Sequence, residues 1–393
     1  MAKKVVLVPE EFEEEPIGRR KAVKVTDSEL QKLYDESSSR ILQERNDFFL
    51  PQVRDFAAKK RWMNLRPEYQ RRHRWNKKKQ SRLIESLLTN VPVPPVFLYE
   101  RELNRYEVMD GQQRLASLLD FYNNKLRLSG LETWAGLNDK LYRDLPPRLK
   151  RGLDRRRLSA VVLLAESARP EESGGTDIRH EVFERLNTGG APLNPQELRN
   201  CIYSGPFNDL VVRLASLRLF RRMWGMPTPS GDTISDELRN DKLFQSMGDC
   251  QIVLRSFAFR DDRQIRGAVK RMLDQCMERL NKLDASKIRT LESDFEKRLH
   301  LIAEIFGEAA FELPTSTGDR HSRPLFDSLM IAVDRLWDKR ELMLKKRNSL
   351  KKRLAALLQN PKSYELIVGR KNTADAIKAR IRRVERAFRA AID

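Results

Sequence analysis

Apolar positions in this chain fall into two regimes: short runs that alternate with helical spacing up to about residue 205, then helical spacing almost throughout. In the first regime Leu83, Ile84, Leu87 and Leu88 recur three and four residues apart, which puts them on one face of a helix from Lys77 to Leu88. Asn76 stands where an N-cap belongs, and Asn90, Pro92, Pro94 and Pro95 end the helix. "VFLYE" then reads as a strand, "RELN" as a turn and "RYEVMD" as the partner strand of a hairpin. Leu115, Leu118 and Leu119 restore helical spacing from Gln112 to about Tyr122. After a basic, less regular stretch at 125–157, "LSAVVLLAE" at 158–166 is a continuous apolar strand. Ile178, Val182, Phe183 and Leu186 predict a further helix, which "NTGGAPLN" breaks. Asn194, Pro195 and Glu197 then supply an N-cap, a first-turn proline and the third-position acid of a capping box. Residues 41–60 show no clean period and read as helix or loop.

From Phe207 onward the spacing is that of helices alone. The fold class predicted is α+β: a small mixed domain at 41–205 followed by an all-helical domain at 206–393. Residues 1–40 carry the acids Glu10, Glu11, Glu13, Glu14 and Glu15 and few apolar anchors, so a flexible tail is expected there.

Composition narrows the class of function. No run of about 18 apolar residues occurs, so no membrane span is expected. The N-terminus lacks the apolar centre and cleavage site of a secretory signal, and the protein reads as cytoplasmic. Three cysteines and four histidines are scattered, which argues against disulfides and a structural zinc site. A net charge of +20 favours polyanionic partners. Two segments concentrate it. From Lys339 to the end there are seventeen Lys/Arg against five Asp/Glu, with Lys345, Lys346, Arg347, Lys351 and Lys352 at the densest point. "EYQRRHRWNKKKQSR" interleaves Arg71, Arg74 and other cations with Trp75. Both read either as contacts to a DNA or RNA backbone or as solvated helix surface.

Candidate chemistry sits where the hairpin turns into a helix, at "MDGQQR". Gly111 permits a positive φ, and the free N–H groups of the helix beginning at Gln112 favour an anion. Arg114 offers a fork for phosphate. Gln112 and Gln113 can position water or read a base. Asp110 makes sense beside phosphates if it holds a divalent cation, or if it orients Arg114. The same residues also make an ordinary polar turn. A second helix start is approached through Asn187, Thr188, Gly189 and Gly190, with Arg185 and Arg199 nearby. It reads either as a second wall of a phosphate site or as a helix–loop–helix turn with a glycine cap. No Walker A, GxSxG or HExxH pattern is present.

"YQRRHRWNKKKQSRLIESLLTNVPVPPVFL", "DGQQRLASLL" and "FERLNTGGAPLNPQELRN", in this order, resemble the N-terminal domain of GmrSD-type, modification-dependent restriction systems. The resemblance implies a ParB/sulfiredoxin-like fold and a role in anti-phage defence as a component that binds and hydrolyses a nucleoside triphosphate with Mg2+ and contacts DNA. It assigns nucleotide use to Asp110, Gly111, Gln112, Gln113 and Arg114, with Asn187 to Gly190 completing a shared pocket. Many relatives append an HNH-type nuclease domain; no such signature is visible here, so the chain resembles either the separate recognition and NTPase subunit served by an HNH-type companion or a stand-alone member with a different role. A nucleotide switch without turnover and a stand-alone nuclease are the rival readings.

Overall fold

The computed structural model describes residues 26–31, 43–58, 62–64, 75–164, 182, 194–203, 205–228, 234–315, 318–368 and 371–393. The chain divides into two compact units at Pro192 and Leu193, earlier than the expected boundary at 205/206.

The N-terminal unit holds β1 (Gln43–Phe49), α1 (Leu50–Ala58), β2 (Met63–Asn64), α2 (Lys77–Leu88), β3 (Val96–Glu102), β4 (Arg105–Asp110), α3 (Gln112–Tyr122), α4 (Pro147–Asp154) and β5 (Arg157–Leu163). The strands form one sheet in the order β1-β5-β3-β4-β2. The predicted hairpin is present: β3 and β4 are antiparallel, with Tyr99 opposite Glu107. β5 lies parallel to β3, with Leu98 opposite Val162, so the chain crosses over through β4, α3 and α4 to reach it. β1 pairs antiparallel with β5 along its whole length. Residues 41–60, read as helix or loop, therefore include a strand. Its sequence, QERNDFF, exposes most of its side chains, and only Phe48 packs toward the core. A polar edge strand carries little of the alternation that identifies strands.

α2 starts and stops where its sequence predicts. Asn76 accepts from the Lys79 N–H, and Leu83, Ile84, Leu87 and Leu88 are buried. They meet Leu98 and Val108 of the sheet and Leu115, Leu118 and Phe121 of α3. The irregular stretch after α3 is tied down by polar contacts instead. The Asp154 carboxylate accepts from the Tyr122 hydroxyl at 2.9 Å and from the Tyr142 hydroxyl at 3.0 Å.

The second unit contains α5 (Pro195–Ile202), α6 (Pro206–Ala215), α7 (Arg218–Met223), α8 (Asp236–Asn240), α9 (Lys242–Gln245), α10 (Gly248–Ala258), α11 (Val269–Leu280), α12 (Ala285–Phe306), β6 (Glu312–Thr315), β7 (Gly318–His321), α13 (Arg323–Arg335), α14 (Arg340–Lys345), α15 (Arg347–Gln359), α16 (Pro361–Val368) and α17 (Ala374–Ile392). The β6–β7 hairpin departs from the all-helical expectation. Its ladder runs only from Glu312 opposite His321 to Thr315 opposite Gly318, too short for a period to register. Trp224 stacks on Phe311 in the interior and Phe326 meets both edge-on, and Arg255 forks onto Asp327 with both side chains buried. Arg298 and Arg260 share Asp334, joining α12, α13 and the end of α10. Among the described residues, no helix is long and apolar enough to cross a membrane.

Two stability effects follow. Asp327→Ala removes the carboxylate onto which the buried Arg255 forks, and should cost about 3–5 kcal/mol, read from the urea midpoint. The second is alkaline. Burial, then the hydrogen bond and charge of Asp154, push the Tyr142 hydroxyl up to about 12, and burial followed by the Asp154 charge raises Tyr122 in the same direction. Both groups are neutral when protonated, and an unfolded tyrosine ionises near 10. Their contribution is therefore complete below about pH 10 and is lost as the pH rises through about 12. Absorbance at 295 nm should show these two tyrosines titrating late, together with loss of circular dichroism.

Candidate functional site: the turn between β4 and α3

β4 ends at Asp110, and α3 begins two residues later with no side-chain cap at its N-terminus. The residue between them, Gly111, has φ +94° and is buried. A β-carbon added there would lie 2.4 Å from Val96 Cγ1. Conformation and space thus both require glycine. The first N–H groups of α3 cannot bond within the helix, and no side chain caps them, so this end keeps its partial positive charge.

Arg114 lies in the first turn of α3. Its Nη2 donates to Asp110 Oδ2 at 2.7 Å and to the Pro95 carbonyl at 3.1 Å. Its side chain is 15% exposed and that of Asp110 57%, so the guanidinium is held from below while the carboxylate faces solvent. The Arg114 Nε is buried without a hydrogen-bond partner. Asp110 therefore orients Arg114, one of the two roles the sequence allowed, and keeps Oδ1 for another contact.

The two glutamines differ. Gln112 Nε2 is 3.5 Å from the Val108 carbonyl, a weak contact that leaves its amide adjustable. Gln113 Oε1 accepts from the Trp75 backbone N–H at 3.1 Å. Trp75 packs against the core, and the Lys79 ammonium sits 4.6 Å above its ring. One face of this indole, expected to meet nucleic acid, is thus covered.

The second expected wall is only partly described. Arg71, Arg74, Arg185, Asn187, Thr188, Gly189 and Gly190 lie outside the described residues. Asn194 does cap α5, accepting from Gln196 and Glu197 while Glu197 bonds back to it. Arg199 has a different place from the one its sequence suggested. It is 2% exposed, and its Nε donates to Asp274 at 2.6 Å within the helical unit. Its positive charge is already matched by a carboxylate 75 positions along the chain, so it does not present a fork to a phosphate. The C-terminal cations Lys345, Lys346, Arg347, Lys351 and Lys352 are all exposed. Lys346 donates to the Ile392 carbonyl.

The Pro95 carbonyl and the Val96 side chain were not singled out from sequence. The signal was available: "PPV" places a rigid backbone just before the strand whose hairpin partner leads into the turn. Among the described residues, no group of three or more His, Cys, Asp and Glu side chains is placed to share a metal ion.

Comparison with known proteins places this turn in a family. Residues 53–204 match the family described as GmrSD restriction endonuclease, N-terminal domain, a span that includes α2, the β3–β4 hairpin, the turn and α5. That stretch is thus similar to the N-terminal domain of GmrSD-type restriction systems. No curated protein and no solved structure matches the chain.

Gly111→Ala should destabilise the N-terminal unit by about 2 kcal/mol or more, combining left-handed strain with a clash against packed aliphatic carbon. Pairing it with Val96→Ala should recover part of that cost, because the closest contact is removed and the backbone strain stays. Additive losses in chemical denaturation would show that Val96 does not constrain the turn.

Proposed function

We propose that the N-terminal unit binds a nucleoside triphosphate at the Asp110–Arg114 turn and hydrolyses it, as the nucleotide-using part of a DNA restriction system directed against phage. In this reading, cutting is supplied by an HNH-type nuclease partner. The observation that carries the reading is the turn itself: an uncapped helix start and a guanidinium pre-oriented by Asp110 and Pro95, inside the stretch that matches a restriction family.

The roles follow from position. The α3 N–H groups and the Arg114 guanidinium take the phosphate oxygens, each charge-assisted bond contributing about 1.5–3 kcal/mol. Gln112, whose amide is only weakly engaged, orients the attacking water. Asp110 Oδ1 with the phosphates would hold Mg2+, which supplies charge neutralisation; one carboxylate together with phosphate oxygens is a donor set that Mg2+ accepts. Gly111, packed against Val96, supplies the left-handed turn from which the α3 N–H groups start. A ParB/sulfiredoxin-like ancestry for the sheet belongs to the same reading.

DNA contact is assigned to the second unit. Between Glu341 and Glu365 the chain has seven Lys/Arg and no acid. Lys345, Arg347, Lys351, Lys352 and Arg353 are exposed there on α14 and α15. A surface of one sign suits a phosphate backbone without reading its sequence. The rival in which nucleotide acts only as a switch draws support from the Asp110–Arg114 ion pair, which occupies part of the carboxylate a metal would need.

Isothermal titration should show Arg114→Ala losing tenfold or more of the affinity for nucleotide, the effect of one such bond. Unchanged affinity in a folded variant removes the site. Phosphate release with and without DNA separates hydrolysis from switching. Lys351→Glu with Lys352→Glu should weaken DNA binding and flatten its salt dependence by about two charges; an unaltered slope places the DNA elsewhere.

A further inference from the structure

The amide of Gln113 is engaged in a way that water positioning does not explain. Its oxygen accepts the Trp75 N–H at 3.1 Å across 38 positions of sequence, bridging the start of α3 to the residue just before the Asn76 cap of α2. The bridge brings a cationic corner toward the turn. α2 opens with Lys77, Lys78 and Lys79 and has no acid in its first turn. Three cations at a helix N-terminus oppose the helix dipole, an arrangement that favours a nearby anion. Glu132 answers part of this charge, pairing with Lys78 at 3.6 Å and with Arg82 at 3.2 Å. Lys79 instead lies over the Trp75 ring, on the residue that Gln113 holds. The underside of α2 is fixed independently: Ser81, fully buried, accepts from the Ser129 N–H and donates to the Lys77 carbonyl. The corner is thus anchored at both ends, by Ser81 to the loop after α3 and by Gln113 to the phosphate turn.

We propose that Gln113 is a positioning residue: it latches the Trp75–Lys79 corner of α2 beside Arg114, so that Lys79 meets the same polyphosphate as the turn. The inference rests on the nucleotide reading given above and changes the role of one of its glutamines. Gln113 acts through its carbonyl oxygen, as an acceptor, and through affinity. Gln112 is left as the amide that contacts water. The contrast between an acceptor role and a donor role makes the two separable by substitution. Gln113→Met removes both ends of the amide at similar length. Gln113→Glu keeps an oxygen for the Trp75 N–H and loses the NH2 group.

The experiment uses the full chain and reads two quantities: hydrogen exchange of the Trp75 amide at residue resolution, and steady-state hydrolysis of a nucleoside triphosphate. With Gln113→Met the Trp75 amide should exchange about tenfold faster, and KM should rise about tenfold while kcat falls less than threefold, the scale expected for losing one part-buried hydrogen bond. Gln113→Glu should return the Trp75 amide to wild-type protection and keep kcat within the same bound; its added charge opposes phosphate, so affinity is not the criterion for that variant. The latch is overturned if the Trp75 amide stays protected in Gln113→Met. It is equally overturned if kcat collapses in both variants with KM unmoved, which would return Gln113 to the water. Should the wild-type chain neither bind nor hydrolyse nucleotide, the reading of the turn fails by itself, and the exchange measurement still decides whether the latch exists.

Discussion

The contact between Gly111 and Val96 is the constraint on which the N-terminal unit's chemistry depends. A bare α-carbon lies under the first residue of β3, and the backbone turns there through a left-handed conformation. Because β3 is an interior strand, flanked by β5 and β4, its first residue cannot retreat to relieve crowding. The start of α3 is therefore pinned to the centre of the sheet. The Pro95 carbonyl, one residue earlier, is fixed by the same packing and in turn orients Arg114. A flexible guanidinium is thus held by rigid backbone, which reduces the ordering cost of meeting a ligand.

The two units use buried charge differently. In the N-terminal unit the strongest ion pair described at the turn faces solvent on its acidic side, so its partners can be exchanged. In the helical unit Arg255–Asp327 is interior, and Asp334 is shared by the buried Arg298 and the part-exposed Arg260, all multiply bonded. Such pairs do little for net stability compared with apolar packing, yet breaking one is severe, so they fix which helices can neighbour one another. Arg199 belongs with this second kind. That explains why proximity in sequence to "NTGGAPLN" misdirected its assignment: the carboxylate that claims it, Asp274, lies far along the chain.

What was legible in the sequence was local. α2 could be bounded because its apolar spacing, its Asn76 cap and the prolines after it all act within a few residues. The capping box at Asn194 and the β3–β4 hairpin were legible for the same reason. β1 was not, because its place is set by pairing with β5 more than a hundred residues away and its own side chains carry no alternation. Helical spacing continues from Phe207 to Trp224, yet α6 and α7 are separated at Ser216 and Leu217, where Leu217 leaves the helical conformation (ψ 133°) as the cap of α7. At the turn, residue types announced a special conformation and an anion-friendly helix start. The division of labour between Gln112 and Gln113 was hidden, since it depends on where the backbone N–H of Trp75 comes to rest.

One consequence of the sheet's rims bears on how this domain can associate. The outermost strand β1 displays Glu44, Arg45 and Asp47 outward, and the opposite rim, β2, spans only two residues. Among the described residues, neither border offers the long, plain ladder on which an added strand could zip. On the β1 side the exposed charges discourage assembly by strand addition and leave side chains to set what can approach.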